Sequence, residues 1–139
     1  MARAAYFGLA LFVALAGCGP TPPPVQTLHP VRGKVLLPDG SPARGAVVIF
    51  EPAGRGTTAT GELDATGNFT MFSTGAREGV MAGDYKVLVT PNAVVQKMKP
   101  ADLEVGKRSI PKKYWSDEKT DLTASVEERS NEFTFKLKN

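Results

Sequence analysis

The chain reads as an all-β protein, a two-sheet antiparallel β-sandwich of about seven strands. Three observations predict this. Short runs rich in Val, Ile, Phe and Thr alternate with polar residues at a period of two. Dense turn signals separate those runs, drawn from 11 prolines and 14 glycines in 139 residues. No segment offers a convincing amphipathic helix. The apolar share, 42%, is that of a globular domain rather than a disordered chain.

Each element follows from local pattern. In 31–37, Val31, Val35 and Leu37 fall on one face and Arg32 and Lys34 on the other. Residues 38–42 (PDGSP) form a turn, in which Gly40 suits a positive φ. Residues 46–50 (AVVIF) are apolar throughout, so they read as a central strand covered on both sides. Residues 52–56 break it. A threonine-rich strand spans 57–63, and 64–67 (DATG) is the next turn, with Asp64 placed to bond its own backbone. The strand 68–72 puts Phe69 and Met71 inward. Gly83 permits a sharp entry into 85–90, where Tyr85, Val87 and Val89 share a face; a buried Tyr85 needs a hydrogen-bond partner. The least regular region is 91–120. Leu122, Ala124 and Val126 then alternate with Thr123 and Ser125, 128–131 is a turn, and Phe133, Phe135 and Leu137 close the chain.

The N-terminus carries a different signal. Arg3 precedes an uncharged, mostly apolar stretch over 4–16, the form of a signal-peptide h-region. It is too short for a bilayer core, which takes about 20 residues. Leu15-Ala16-Gly17-Cys18 follows and matches the lipobox of bacterial lipoprotein signal peptides. The resemblance implies cleavage after Gly17 and lipidation of Cys18 with two or three acyl chains. One chain binds a membrane marginally and two anchor it stably. Residues 1–17 are thus expected to be the signal peptide. Residues 18–30 are the lipidated cysteine and a proline-rich stalk, and 31–139 the folded domain. With five prolines and no charge in 19–30, the stalk extends up to about 35 Å at ~3.1 Å per residue.

These features bound location and partners. The expected location is extracytoplasmic, at the outer membrane or the outer face of the inner membrane. Gly19, rather than Asp, would be the second residue, which in proteobacterial sorting points away from inner-membrane retention. Cys18 is the single cysteine, so the processed domain would hold neither a free thiol nor a disulfide and must rely on core packing. Loss of Arg3 lowers the net charge from +3 to +2. That balance is too mild to imply nucleic acid, and the compartment disfavours it, so no nucleic-acid partner is expected.

The residues for catalysis are scarce. His29 is the one histidine and lies in the stalk, away from any packing that could fix a general base. No thiolate remains for zinc, no metal or other cofactor is expected, and Gly106-Lys107 lacks the rest of a phosphate-binding loop. Asp39, Asp64 and Asp84 sit beside glycine turns without the converging oxygen spacing that calcium needs. One basic stretch stands out over 97–115. It holds Lys97, Lys99, Lys107, Arg108, Lys112 and Lys113 against Asp102 and Glu104, and ends in Tyr114 and Trp115. Lys107, Arg108, Lys112, Lys113, Tyr114 and Trp115 are the candidate binding residues, a contact loop for an anionic envelope polymer or a protein, with two aromatic anchors. The competing reading makes this a solvated crossover whose aromatic pair caps the sandwich.

Three motifs together carry a resemblance. Residues 31–35 (VRGKV) followed by 38–50 (PDGSPARGAVVIF) resemble the opening of carboxypeptidase regulatory-like domains. Residues 63–69 (LDATGNF) resemble their Thr-Asp-x-x-Gly-x-Phe turn, with Leu63 where threonine is common. Residues 82–87 (AGDYKV) resemble their Pro-Gly-x-Tyr-x-Val strand start, with Ala82 in place of proline. The residues 110–114 (IPKKY) and the closing 133–137 (FTFKL) are similar to small lipoproteins of planctomycete-like bacteria. The resemblance implies a transthyretin-like, prealbumin-like Greek-key sandwich. The expected function is that of a non-enzymatic, membrane-anchored structural or protein-binding adaptor module at the cell envelope. The first alternative is a carbohydrate- or surface-polymer-binding module, which calls for an exposed groove with aromatic residues. The second is a transthyretin-like hydrolase, which needs histidines that the domain after His29 does not have.

Overall fold

The alternating pattern folds into two packed sheets. The computed structural model describes residues 17–22, 25–91 and 99–139; nearly all of the expected signal peptide, part of the stalk and Lys97 lie outside them. Among the described residues there are nine strands: β1 Val31–Leu36, β2 Val47–Pro52, β3 Ala59–Glu62, β4 Asn68–Thr70, β5 Phe72–Ser73, β6 Arg77–Glu78, β7 Gly83–Thr90, β8 Thr123–Val126 and β9 Asn131–Lys136. The small sheet has the order β4-β1-β9 and the large one β6-β5-β3-β2-β7-β8. The all-β sandwich expected from sequence is therefore the fold. The expected strand 68–72 is split between β4 in one sheet and β5 in the other. At the break, Met71 is fully buried and its N–H bonds to the Val31 carbonyl at 2.9 Å.

One ladder departs from the antiparallel expectation. β1 and β9 run parallel, in register from Val31 opposite Asn131 to Leu36 opposite Lys136. Alternation reveals a strand's faces but not its direction, so this pairing had no signal in the pattern. β2 lies between β3 and β7 at the centre of the large sheet, as its unbroken apolar run requires.

The core forms where the two inner faces meet. Val48, Phe50, Val87 and Val89 come from the large sheet, and Val31, Val35, Phe69 and Phe135 from the small one. Phe50 links them, with its ring 5.7 Å from Tyr85, 5.9 Å from Phe133 and 6.2 Å from Phe135. Burying one such side chain contributes about 1.5–3 kcal/mol. Gly33 makes room for the layer: a Cβ there would lie 2.6 Å from Phe69 Cζ and on top of the Phe133 carbonyl. Tyr85 finds the partner it needs, donating its hydroxyl hydrogen to the Met81 carbonyl at 2.8 Å.

The irregular region contains a helix, α1 Pro100–Ser109, followed by a 3-10 turn, Lys112–Trp115. Pro100 at the first turn, Asp102 near the N-terminus and Lys107 and Arg108 near the C-terminus all suit a helix. Its contact surface is too small for a periodic signal, because Gly106 is its single buried residue. Gly106 packs backbone to backbone against Gly45, itself at φ +71; a Cβ on either glycine would collide with main-chain oxygen of the other segment.

The strand directions define two poles. Val31 enters β1 at one pole, beside the ends of β2 and β8 and the turn leading to Asn131. Leu36, Val47 and Thr90 reach the other, where α1 docks on Gly45. His29 is not free: its N–H and carbonyl each bond to Val80 at 2.9 Å, so the stalk is tied to the domain before β1 begins.

The Gly45–Gly106 contact yields a sign test. Helix propensity alone makes Gly106→Ala stabilising by about 1 kcal/mol. Overpacking against the Gly45 carbonyl costs about 1–3 kcal/mol, and we expect it to win. The urea midpoint should fall; an unchanged or raised midpoint would show that α1 is not locked against this loop.

Candidate functional site

The basic residues gather at the pole opposite the one where the chain enters β1. Lys99, Lys107, Arg108 and Lys112 are exposed there, on or beside α1 and the 3-10 turn. Lys107 bonds Glu104 at 2.9 Å along the helix. That bond, together with the lysine's charge and that of Arg108, holds the Glu104 carboxyl below its usual range. Lys113 lies 3.9 Å from Asp121 and 4.9 Å from the centre of the Tyr114 ring. Arg108 and Lys112 make no ion pair among the described residues. With Lys99, which is likewise outside these ion pairs, they are the exposed positive charges of this cap not paired with a carboxylate there.

The two aromatic residues of the stretch occupy different surroundings. Tyr114 is fully buried, and its ring offers no surface to a partner. Its hydroxyl accepts the Lys138 N–H at 2.7 Å and holds the C-terminal strand's exit. Trp115 is half-buried against the core, and its indole Nε1 has no hydrogen-bond partner. The pair packs under the basic cap rather than projecting from it. This is the arrangement of the reading in which the aromatic pair caps the sandwich; the reading that made them exposed anchors does not fit Tyr114.

A second surface was not anticipated. Where the chain crosses from β4 to β5, the outward faces of both sheets line an open cleft that includes Arg32, Thr60, Glu62, Phe72, Glu78 and Thr134. Arg32 reaches Glu78 across it at 3.4 Å. Phe72 is 40% exposed, the large apolar side chain most open to solvent within the sandwich. Its partner residues in the ladder are Thr60 and Glu78, so an aromatic ring stands among hydrogen-bonding groups. The only sequence cue was that Phe72 falls out of phase with Phe69 and Met71.

The turn aspartates are occupied structurally. Asp39 accepts the Ser41 N–H at 2.9 Å and its hydroxyl at 2.6 Å. Asp64 accepts the Thr66 hydroxyl at 2.7 Å and the N–H groups of Thr66 and Asn68 at 2.8 and 2.9 Å. Cys18 is exposed, and no helix among the described residues is long and apolar enough to cross a membrane. No family model, curated protein or solved structure matches the chain.

Asp64 sets an acid limit on this pole. The Thr66 hydroxyl, with the Asn68 and Thr66 N–H groups and the Lys34 charge, holds its carboxyl below the usual range. The folded state thus binds this proton less readily than the unfolded chain. The resulting stability is complete above about pH 4, the unfolded carboxyl's range, and is lost as pH falls through the lower folded value. In denaturant titrations at neutral and acid pH, Asp64→Ala should lower stability at neutrality and shrink the acid-induced loss. An acid limb that Asp64→Ala leaves unchanged would rule this out.

Proposed function

We propose that the chain is a lipid-anchored, extracytoplasmic adaptor without enzymatic activity, a carboxypeptidase regulatory-like sandwich held off a bacterial membrane by its stalk. Residues 1–17 are its signal peptide and Cys18 its lipid-bearing residue. The observation that carries the reading is polar opposition. The chain from Cys18 enters the sandwich at the Val31 pole, and the exposed basic cap covers the far pole. Strands of six to eight residues separate the poles by about 20–25 Å. A module tethered at one end presents Arg108 and Lys112 outward to an acidic envelope protein.

Exposed Phe72 in the polar cleft favours a second reading, a carbohydrate-binding module, in which the ring stacks on a sugar's C–H face. One experiment separates the two. Photo-crosslinking residues would be placed at Arg108 and Lys112, and at Arg129 in the turn beside the tether as control. A discrete protein adduct from the cap positions, absent at Arg129 and lost in Cys18→Ala, is the expected result. Absence of any protein adduct, with envelope polysaccharide co-purifying in a Phe72-dependent manner, would replace the adaptor by the carbohydrate module.

A further inference from the structure

The cleft at the crossing from β4 to β5 carries a charge opposite to that of the cap. Its lining holds four carboxylates, Glu62, Asp64, Glu78 and Glu132, against two cations, Arg32 and Lys34, leaving two negative charges in excess. The whole chain, by contrast, has a net charge of +3. Asp64 is committed to its own turn and feels the Lys34 charge. Arg32 is held by Glu78. Glu62 and Glu132 are exposed and make no ion pair among the described residues.

The strand register builds one particular arrangement on the large-sheet wall of this cleft. Phe72 has Thr60 as its partner on one side and Glu78 on the other. Glu62 lies two residues beyond Thr60, and both are on the exposed face of β3. Direct cross-strand partners stand about 4.5–5.5 Å apart and diagonal ones about 7–8 Å, within reach of an aromatic or long side chain. The exposed Phe72 ring therefore has a carboxylate on either flank. An aromatic face attracts a cation, and flanking carboxylates accept its hydrogen bonds. A guanidinium already sits beside this group, since Arg32 Nη2 is 3.4 Å from Glu78. Both side chains of that pair are exposed, so the bond is weak and open to exchange.

We infer that the cleft receives an extended basic segment of the partner protein, with an Arg or Lys side chain lying on Phe72 between Glu62 and Glu78 in place of Arg32. The inference rests on the adaptor reading and gives the adaptor a second contact, opposite in sign to the cap. At about 1320 Å³ the cleft exceeds the roughly 300–1,000 Å³ of small-molecule pockets, as a chain segment requires. Its excess charge opposes an anionic polymer, and a neutral sugar would leave that charge uncompensated. Arg32 supplies a sign test. A bound cation competes with it for Glu78, so its removal strengthens a cationic ligand. A sugar or an anion would use the guanidinium as a donor and be weakened.

Titrating the isotope-labelled full chain, in neutral detergent micelles, by NMR tests this. The probes are a short Gly-Arg repeat peptide, its Gly-Glu counterpart and a neutral glucan oligosaccharide. The Gly-Arg peptide should shift the amide signals of Thr60, Phe72 and Glu78, with an affinity that falls as salt rises. Phe72→Ala should lower that affinity about threefold or more. Glu62→Gln should also lower it, and Arg32→Gln should raise it, a gain that a misfolded variant cannot show. No shift of these amides with the Gly-Arg peptide, an equal shift with Gly-Glu, a glucan shift in its place, or an Arg32→Gln loss would overturn the inference. The crosslinks from Arg108 and Lys112 test the adaptor reading separately, so the two failures are distinguishable.

Discussion

Everything else in this sandwich depends on the contact of Phe50 with Phe133 and Phe135. Phe50 belongs to the large sheet and the other two to the small one, with ring centres 5.9 and 6.2 Å apart. Without a disulfide or a metal cluster among the described residues, this apolar layer is what sets one sheet over the other. The relative placement of the sheets brings the crossing strand to Met71 and closes β1 against β9. It also carries the loop with Gly45 to the pole where α1 docks. A glycine at position 33 is part of the same constraint, since any larger residue would drive Phe69 out of the layer.

The faces of the strands were legible because burial follows a period of two. Val31, Val35, Tyr85, Val87, Ala124 and Val126 are all buried, and Arg32, Thr123 and Ser125 exposed, as alternation requires. Pairing direction was not, because β1 and β9 lie about a hundred residues apart and nothing local records which way they run. The helix escaped for a related reason. It is held by Gly106 against Gly45, a backbone contact that leaves no apolar stripe to read. Two-residue strands such as β5 and β6 are too short to carry any period.

Site residues divide the same way. The charge of Lys107, Arg108, Lys112 and Lys113 was visible as composition, but their position at the pole away from the stalk emerges only from the strand order. Of the two readings of Tyr114 and Trp115, contact anchors or a cap on the sandwich, the second matches their packing beneath the basic residues, where Tyr114 ties the Lys138 backbone. Phe72 drew no notice beside the inward-facing Phe69 and Met71, yet the change of sheet at Met71 leaves it 40% exposed. The proposed adaptor role draws on both levels. Its tether is argued from four residues around Cys18, and its outward face from the fold.

The tether is the part of that account on which presentation of the cap rests. Mass spectrometry of the N-terminal peptide, from protein extracted out of membranes, tests it most directly. The account predicts that Cys18 is the first residue and carries a diacylglyceryl group in thioether linkage, with or without an amide-linked acyl chain. A mature chain that begins elsewhere, or an unmodified Cys18 thiol, would contradict it.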